Sequence, residues 1–197
     1  MARQLRMVRP DLNDLPELQL PEGYELRTYQ EGDDVHWANV INNSFGGKRT
    51  AEDARKAIMG QDVFDPDGLY FATYQGTPVG TACAWKGSPD ETEVGYVHMV
   101  GVDSKHEGHK LGKWVSLCVL LYFRERGFKC AKLDTDDFRL PAVKTYINLG
   151  FLPIYVDTDQ PERWRQVFKN LGVPSIPDPS GIVRAALSDT MWAKVCG

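Results

Sequence analysis

The run Tyr96–Gly112, YVHMVGVDSKHEGHKLG, carries residue types suited to holding a phosphorylated ligand. An apolar strand-like stretch leads into a loop, and the loop opens an apolar-periodic segment. The first turn of a helix has unpaired backbone N–H groups and the positive end of the macrodipole, a ready site for phosphate or pyrophosphate. Gly108 and Gly112 let backbone approach a ligand closely, and Lys105, His109, Lys110 and Lys113 add local positive charge. An ordinary strand-to-helix connection with a solvated basic loop would contain the same residues. A second run, Leu133–Phe151, LDTDDFRLPAVKTYINLGF, holds Tyr146 four residues after Ala142 on a predicted helix. A tyrosine on an apolar helix face serves either as core or as a phenol aimed at a site.

These residues sit in a chain of 197 residues, the length of one domain. Hydrophobic residues are 42% and charged residues 25%, which excludes disorder along the whole chain. Twenty-three Lys and Arg against 27 Asp and Glu give a net charge of −4, so a nucleic-acid partner bound by bulk electrostatics is not expected. Cys83, Cys118, Cys130 and Cys196 include no CxxC pair, which argues against a disulfide scaffold or a zinc site; buried free thiols in a reducing compartment are expected. The longest apolar stretch, Trp114–Phe123, is well short of the roughly 20 residues of a membrane span. The start, MARQLRMVRPDLNDLPEL, lacks the apolar core of a secretory signal. The expectation is a cytoplasmic protein with no membrane partner and no metal.

The elements that must hold the two runs follow from periodicity. Strands are expected over Tyr24–Tyr29, Leu69–Tyr74, Pro78–Trp85, Val94–Val102, Lys129–Leu133 and Phe151–Val156. Helices are expected from about Asp33 to Phe45, from Thr50 to Gly60, from Leu111 to Gly127, over Pro141–Asn148 and over Glu162–Leu171. Leu111, Val115, Cys118 and Tyr122 share one face of the third helix. Residues 1–22, with three prolines, read as an extended arm. The chain after Val173 reads as a loosely attached tail with a short helix near Val183–Leu187. The fold class is mixed α/β, of the α+β type.

Taken together, the two runs resemble the GNAT superfamily of N-acyltransferases. The resemblance rests on the strand Val97–Val102, the helix start Glu107-Gly108-His109-Lys110-Leu111-Gly112, and the run Ala142…Tyr146…Gly150-Phe151. Element order agrees over about residues 24–156. Phe64–Ala72 (FDPDGLYFA) and the Arg163-Trp164 helix are further similar to mycothiol-synthase-like members. The family loop reads Arg/Gln-x-x-Gly-x-Gly/Ala, and here those positions hold Glu107, Lys110 and Gly112. The usual asparagine before the helix alanine is Arg139.

The resemblance implies a central, mostly antiparallel sheet of six to seven strands flanked by helices, forming a GNAT acetyltransferase-like domain over residues 23–157. Residues 158–197 would be a C-terminal helix and tail, packed on or trailing from that domain. It implies acetyl-CoA or another acyl-CoA as cosubstrate, held by Val100, Gly101, Val102, Glu107, Gly108, His109, Lys110, Leu111, Gly112, Lys113 and Arg139. Tyr146 takes the general-acid position. His98, with a reference pKa of about 6.5, or a water chain is the base, with Tyr96 and Glu93 as other residues able to position a water. By period two, residues 96, 98, 100 and 102 share one strand face. Glu107 repels a pyrophosphate. Lys110, with its Cβ, is expected to avoid positive φ.

The acceptor would be a small-molecule amine or amino-acid-like molecule, bound near Val35–Phe45, Phe64–Tyr70 and the loop before Val94. Trp37, Phe45 and Phe64 would line it or serve as core, and Asp33, Asp34, Asp65, Asp67, Glu91 and Glu93 would steer a cationic amine or be solvated surface. A homodimer is compatible with this reading. The alternatives are an acyl-CoA-binding or sensing module without turnover, and an interaction protein on the same fold.

Overall fold

Alternating apolar runs become the strands of one sheet. The computed structural model describes residues 3–197. The strands are β1 (Leu5–Arg9), β2 (Tyr24–Thr28), β3 (Leu69–Tyr74), β4 (Thr77–Trp85), β5 (Val94–Val102), β6 (Cys130–Thr135) and β7 (Leu152–Ile154). The helices are α1 (Asp34–Phe45), α2 (Ala51–Ala54), α3 (Leu111–Glu125), α4 (Leu140–Asn148), α5 (Gln160–Leu171), α6 (Pro179–Ala186) and α7 (Asp189–Cys196). The sheet order is β2-β3-β4-β5-β6-β1-β7, and every neighbouring pair is antiparallel except β5 with β6. The parallel pair is joined by α3, as a parallel connection requires.

Side chains of adjacent strand residues divide between the two faces. Met7, Ala82, Val97 and Ala131 meet α3, α4 and α5. On the other face, Leu69, Phe71 and Cys83 meet Trp37, Ala38 and Ile41 of α1, while Val8, Val94 and Cys130 meet α6 and α7.

Two features of the sheet make room for a site. β5 pairs with β6 only from Val94↔Cys130 to Tyr96↔Lys132, although β5 continues to Val102. The strands therefore part beyond Tyr96. On its other side β5 carries a bulge: Thr81 faces Gly101 but Cys83 faces His98, so β5 has one extra residue, and Met99 has φ +50°. A bulge inverts the alternation of a strand. The expectation that residues 96, 98, 100 and 102 share a face is thus corrected. His98 stacks on Trp85 and Met99 packs in the same α1-side cluster, whereas Val100 and Val102 pack with the α3 cluster.

The arm reading fails for Leu5–Arg9, which is an interior strand between β6 and β7. Leu5, Met7 and Val8 are fully buried. Both faces of this strand are covered, so it lacks the alternation that marks a half-exposed strand. The tail is likewise not loose. Pro179 starts α6 and the Ser188 hydroxyl caps α7 by accepting from the Met191 N–H. Val183, Leu187, Met191 and Val195 then bury one stripe against the sheet. The final carbonyls accept from basic side chains: Lys194 O from Lys132, Val195 O from Arg6, and Cys196 O and Gly197 O from Arg3. Cations there also suit the negative end of the α7 dipole.

Candidate active site

The gap between β5 and β6 is the mouth of a cleft of about 780 Å³. It contains side chains from both faces of the sheet: His98, Met99 and Asp134 from one, Val100, Val102, Ala142 and Tyr146 from the other. The cleft therefore passes through the plane of the sheet at the bulge. A ligand entering along α3 and another entering from the α1 side would meet there.

Tyr146 stands on α4, whose end is fixed by the Gly150-Phe151 pair. Phe151 N–H returns to Tyr146 O at 3.0 Å, and the Phe151 ring lies 6.0 Å from the Tyr146 ring. Gly150 has φ +82°, and a Cβ there would collide with the Arg9 guanidinium, which itself donates to Leu149 O. Glycine is required on both counts. Among the described residues the Tyr146 hydroxyl has no hydrogen-bond partner, and burial pushes its pKa up. It is a protonated phenol free to serve a ligand.

His98 lies between Trp85 and Tyr96, with ring centroids 5.3 and 5.2 Å away. Burial lowers its pKa to about 4, with only a partial opposing pull from Asp134. The ring is neutral at physiological pH, well below the value near 6.5 that suits a base. Asp134 is engaged by Arg6 in a two-point pair of 2.7 and 2.9 Å. Arg6 is only 7% exposed and spans from the cleft wall to α7. Burial pushes the Tyr96 phenol up to about 12.

The loop before α3 supplies the anion-binding features. The backbone N–H groups of residues 108–112 have no acceptor among the described residues; Lys113 N–H is the first to turn inward, to Lys110 O at 2.9 Å. Gly108 has φ +83° and Lys110 φ +58°. The expectation that Lys110 avoids positive φ is wrong: it takes the left-handed conformation. That costs a non-glycine residue roughly 1 kcal/mol, held by the packing of α3.

Of the residues expected to hold the cosubstrate, Val100, Val102, Glu107, Gly108, Lys110, Leu111, Gly112 and Arg139 line the cleft. Three do not. Gly101 is buried against Ile41 and Ser44 of α1. His109 turns to the Tyr24 ring, and Lys113 lies over the Trp114 ring at 4.4 Å. The Val102 N–H, expected to meet a ligand, donates to the Ser44 hydroxyl at 3.2 Å. Arg139 pairs with Asp136 and stacks on Phe45 at 4.3 Å, joining the two sides of the mouth.

Arg49, His106, Thr135 and Thr145 also line the cleft and were not expected there, while Ser44 falls within the Val35–Phe45 stretch expected near the acceptor. His106 lies within the basic loop, the one signal that could have drawn attention to it.

The acidic residues expected near an acceptor are largely engaged within the protein. Asp33 pairs with Arg27, Asp34 with Arg55, Asp65 and Asp67 with Arg126, and Glu91 and Glu93 with Lys194. Trp37 is core, Phe45 lines the cleft, and Phe64 lines a separate pocket of about 320 Å³ beside Trp85.

Comparison with known proteins gives concordant results. Residues 33–151 match the family model described as acetyltransferase (GNAT) family. A curated relative named mycothiol acetyltransferase, from Thermomonospora curvata, is 36% identical over 164 residues, covering 79% of this chain and 54% of that protein. Another of the same name, from Nocardia farcinica, is 36% identical over 169 residues, with 79% and 55% covered. The chain thus spans about half the length of the curated relatives it matches. Among solved structures, a GCN5-related N-acetyltransferase from Sphaerobacter thermophilus superposes with a TM-score of 0.62 at 21% identity, covering 78% of this chain and 50% of that one. A tandem GNAT protein from the clavulanic acid biosynthesis pathway gives a TM-score of 0.60 at 19% identity, with 78% and 51% covered. These two support the fold.

Proposed function

The chain belongs to the acetyltransferase (GNAT) family, and we propose that it moves an acetyl group from acetyl-CoA, or another acyl-CoA, to the amine of a small-molecule acceptor by direct attack. The observation that carries this reading is the cleft through the sheet, with bare N–H groups at one end and Tyr146 and His98 on its walls. Relatives named for mycothiol support a small molecule over a protein as acceptor.

The residues divide the work. The N–H groups of residues 108–112 and the Lys110 ammonium hold phosphate oxygens, while the exposed β5 edge from Val97 to Val100 faces the acyl arm. Tyr146 donates its phenolic proton to the leaving sulfur. The acceptor amine must be neutral to attack. His98, with its pKa of about 4, is too weak a base to take a proton outright from an ordinary ammonium. It accepts a hydrogen bond from the incoming amine or its water, and the proton leaves along water. Trp85 and Tyr96 flank the His98 ring and fix its orientation for that bond.

Glu107 in the cleft wall favours a second reading, an acyl-CoA-binding module without turnover. A thermal-shift titration with acetyl-CoA tests the binding common to both, since a native-state ligand raises the melting temperature. Mass spectrometry of any copurifying CoA thioester would name the acyl chain. A chain that acetyl-CoA fails to stabilise, even at millimolar concentration, would contradict both readings.

A further inference from the structure

We propose that His106 is a phosphate ligand for the cosubstrate and that Tyr24 holds it in the donor form; this rests on the acyl-CoA reading above. His106 ends a single helical turn, Ser104–His106, and lines the cleft two residues before the bare N–H groups begin. The turn is anchored at its start. The Asp103 carboxylate accepts from Lys105 N–H at 2.9 Å and from the Asn43 side chain of α1 at 2.6 Å. It is anchored at its end by the sheet edge. The Tyr24 hydroxyl of β2 lies 2.9 Å from His106 Nδ1, and the Tyr24 and Tyr74 rings enclose the imidazole at 5.8 and 5.3 Å.

The chemistry follows from what each nitrogen can do. The Tyr24 hydroxyl and His106 Nδ1 share one hydrogen bond, and with the Tyr24 O–H as its donor Nδ1 is the acceptor. A neutral imidazole that accepts at Nδ1 carries its hydrogen on Nε2. If the ring gains a second proton, Nδ1–H donates to the Tyr24 oxygen and Nε2–H remains a donor. In both of these states Nε2, the nitrogen not bonded to Tyr24, is a hydrogen-bond donor, the form an anion requires. Tyr24 is therefore a positioning residue: it touches no ligand and acts by selecting the tautomer. The arrangement extends the anion site from the helix start to a side chain on the preceding turn. It also links phosphate binding to the β2–β3 edge.

Calorimetric titration with acetyl-CoA, combined with nitrogen-resolved NMR of the imidazoles, tests this. His106→Ala should weaken binding by roughly tenfold or more, the ordinary yield of a hydrogen bond to a charged group. His106→Gln, whose amide N–H can replace Nε2–H, should recover most of it. Tyr24→Phe should weaken binding less and convert the His106 signal from the Nε2–H form to a tautomer mixture, a change that mere loss of packing would not produce. Wild-type affinity in His106→Ala, or an unprotonated Nε2 in the acetyl-CoA complex, would overturn the proposal while leaving the acyl-CoA reading intact. Failure of the wild-type chain to bind acetyl-CoA would overturn both.

Discussion

Tyr146 and His98 reach one cleft from opposite faces of the sheet, and burial makes one a stronger keeper of its proton and the other a weaker base. Tyr146→Phe should lower turnover by roughly a hundredfold, the lower range for a lost general acid, with acetyl-CoA affinity within about twofold. Steady-state kinetics and calorimetry together check the split. His98 has a folded pKa of about 4, below the unfolded value near 6.5. Between those values the unfolded chain holds the proton, so stability falls as the pH drops through that window. His98→Phe keeps an aromatic ring between Trp85 and Tyr96 and should lose less stability than wild type between pH 7 and pH 5 in urea unfolding. Lys110 separates backbone from charge. Lys110→Gly should raise stability by about 1 kcal/mol through relief of the left-handed backbone, whereas Lys110→Glu should weaken acetyl-CoA binding. Unchanged calorimetric affinity in Lys110→Glu would reject its role. Most cleft residues of the basic loop were legible as a Gly- and Lys-bearing helix start. That His109 lies against the Tyr24 ring and Lys113 over the Trp114 ring was not legible, because residue type does not reveal neighbouring aromatic rings.

At the scale of elements, the bulge at Met99 decides the design. It turns Val100 and Val102 to the α3 face while His98 and Met99 keep to the other, so a single strand walls both approaches to the cleft. Strict alternation in YVHMVGV gave no sign of an extra residue, because bulge position depends on pairing with β4. The long helices and half-exposed strands were legible from their periods. β1 was not, because its five residues are covered on both sides and its one charged interior residue, Arg6, is neutralised by Asp134. The α6–α7 stripe had a readable signal, apolar residues every four positions from Val183 to Val195, masked by the prolines before it. Leu187→Ala should cost about 2–3 kcal/mol in denaturant unfolding, as expected for a buried leucine. A loose tail would give almost no change.

Over the whole molecule, the net charge of −4 matters less than its arrangement. Acidic side chains on the α1 and α7 flanks are tied up in ion pairs, while the loop before α3 presents free N–H groups and Lys110 to the cleft. N-terminal β1 and C-terminal α7 converge through Arg6 on Asp134 in the cleft wall, so both ends of the described chain support the site. The most direct test of the central claim is amine-dependent release of free thiol from acetyl-CoA, measured across a panel of small-molecule amines with wild type and Tyr146→Phe. Release should require both an amine and the chain, and should fall sharply in Tyr146→Phe. Acetyl-CoA binding without release above background for any amine, or equal release by Tyr146→Phe, would contradict that claim.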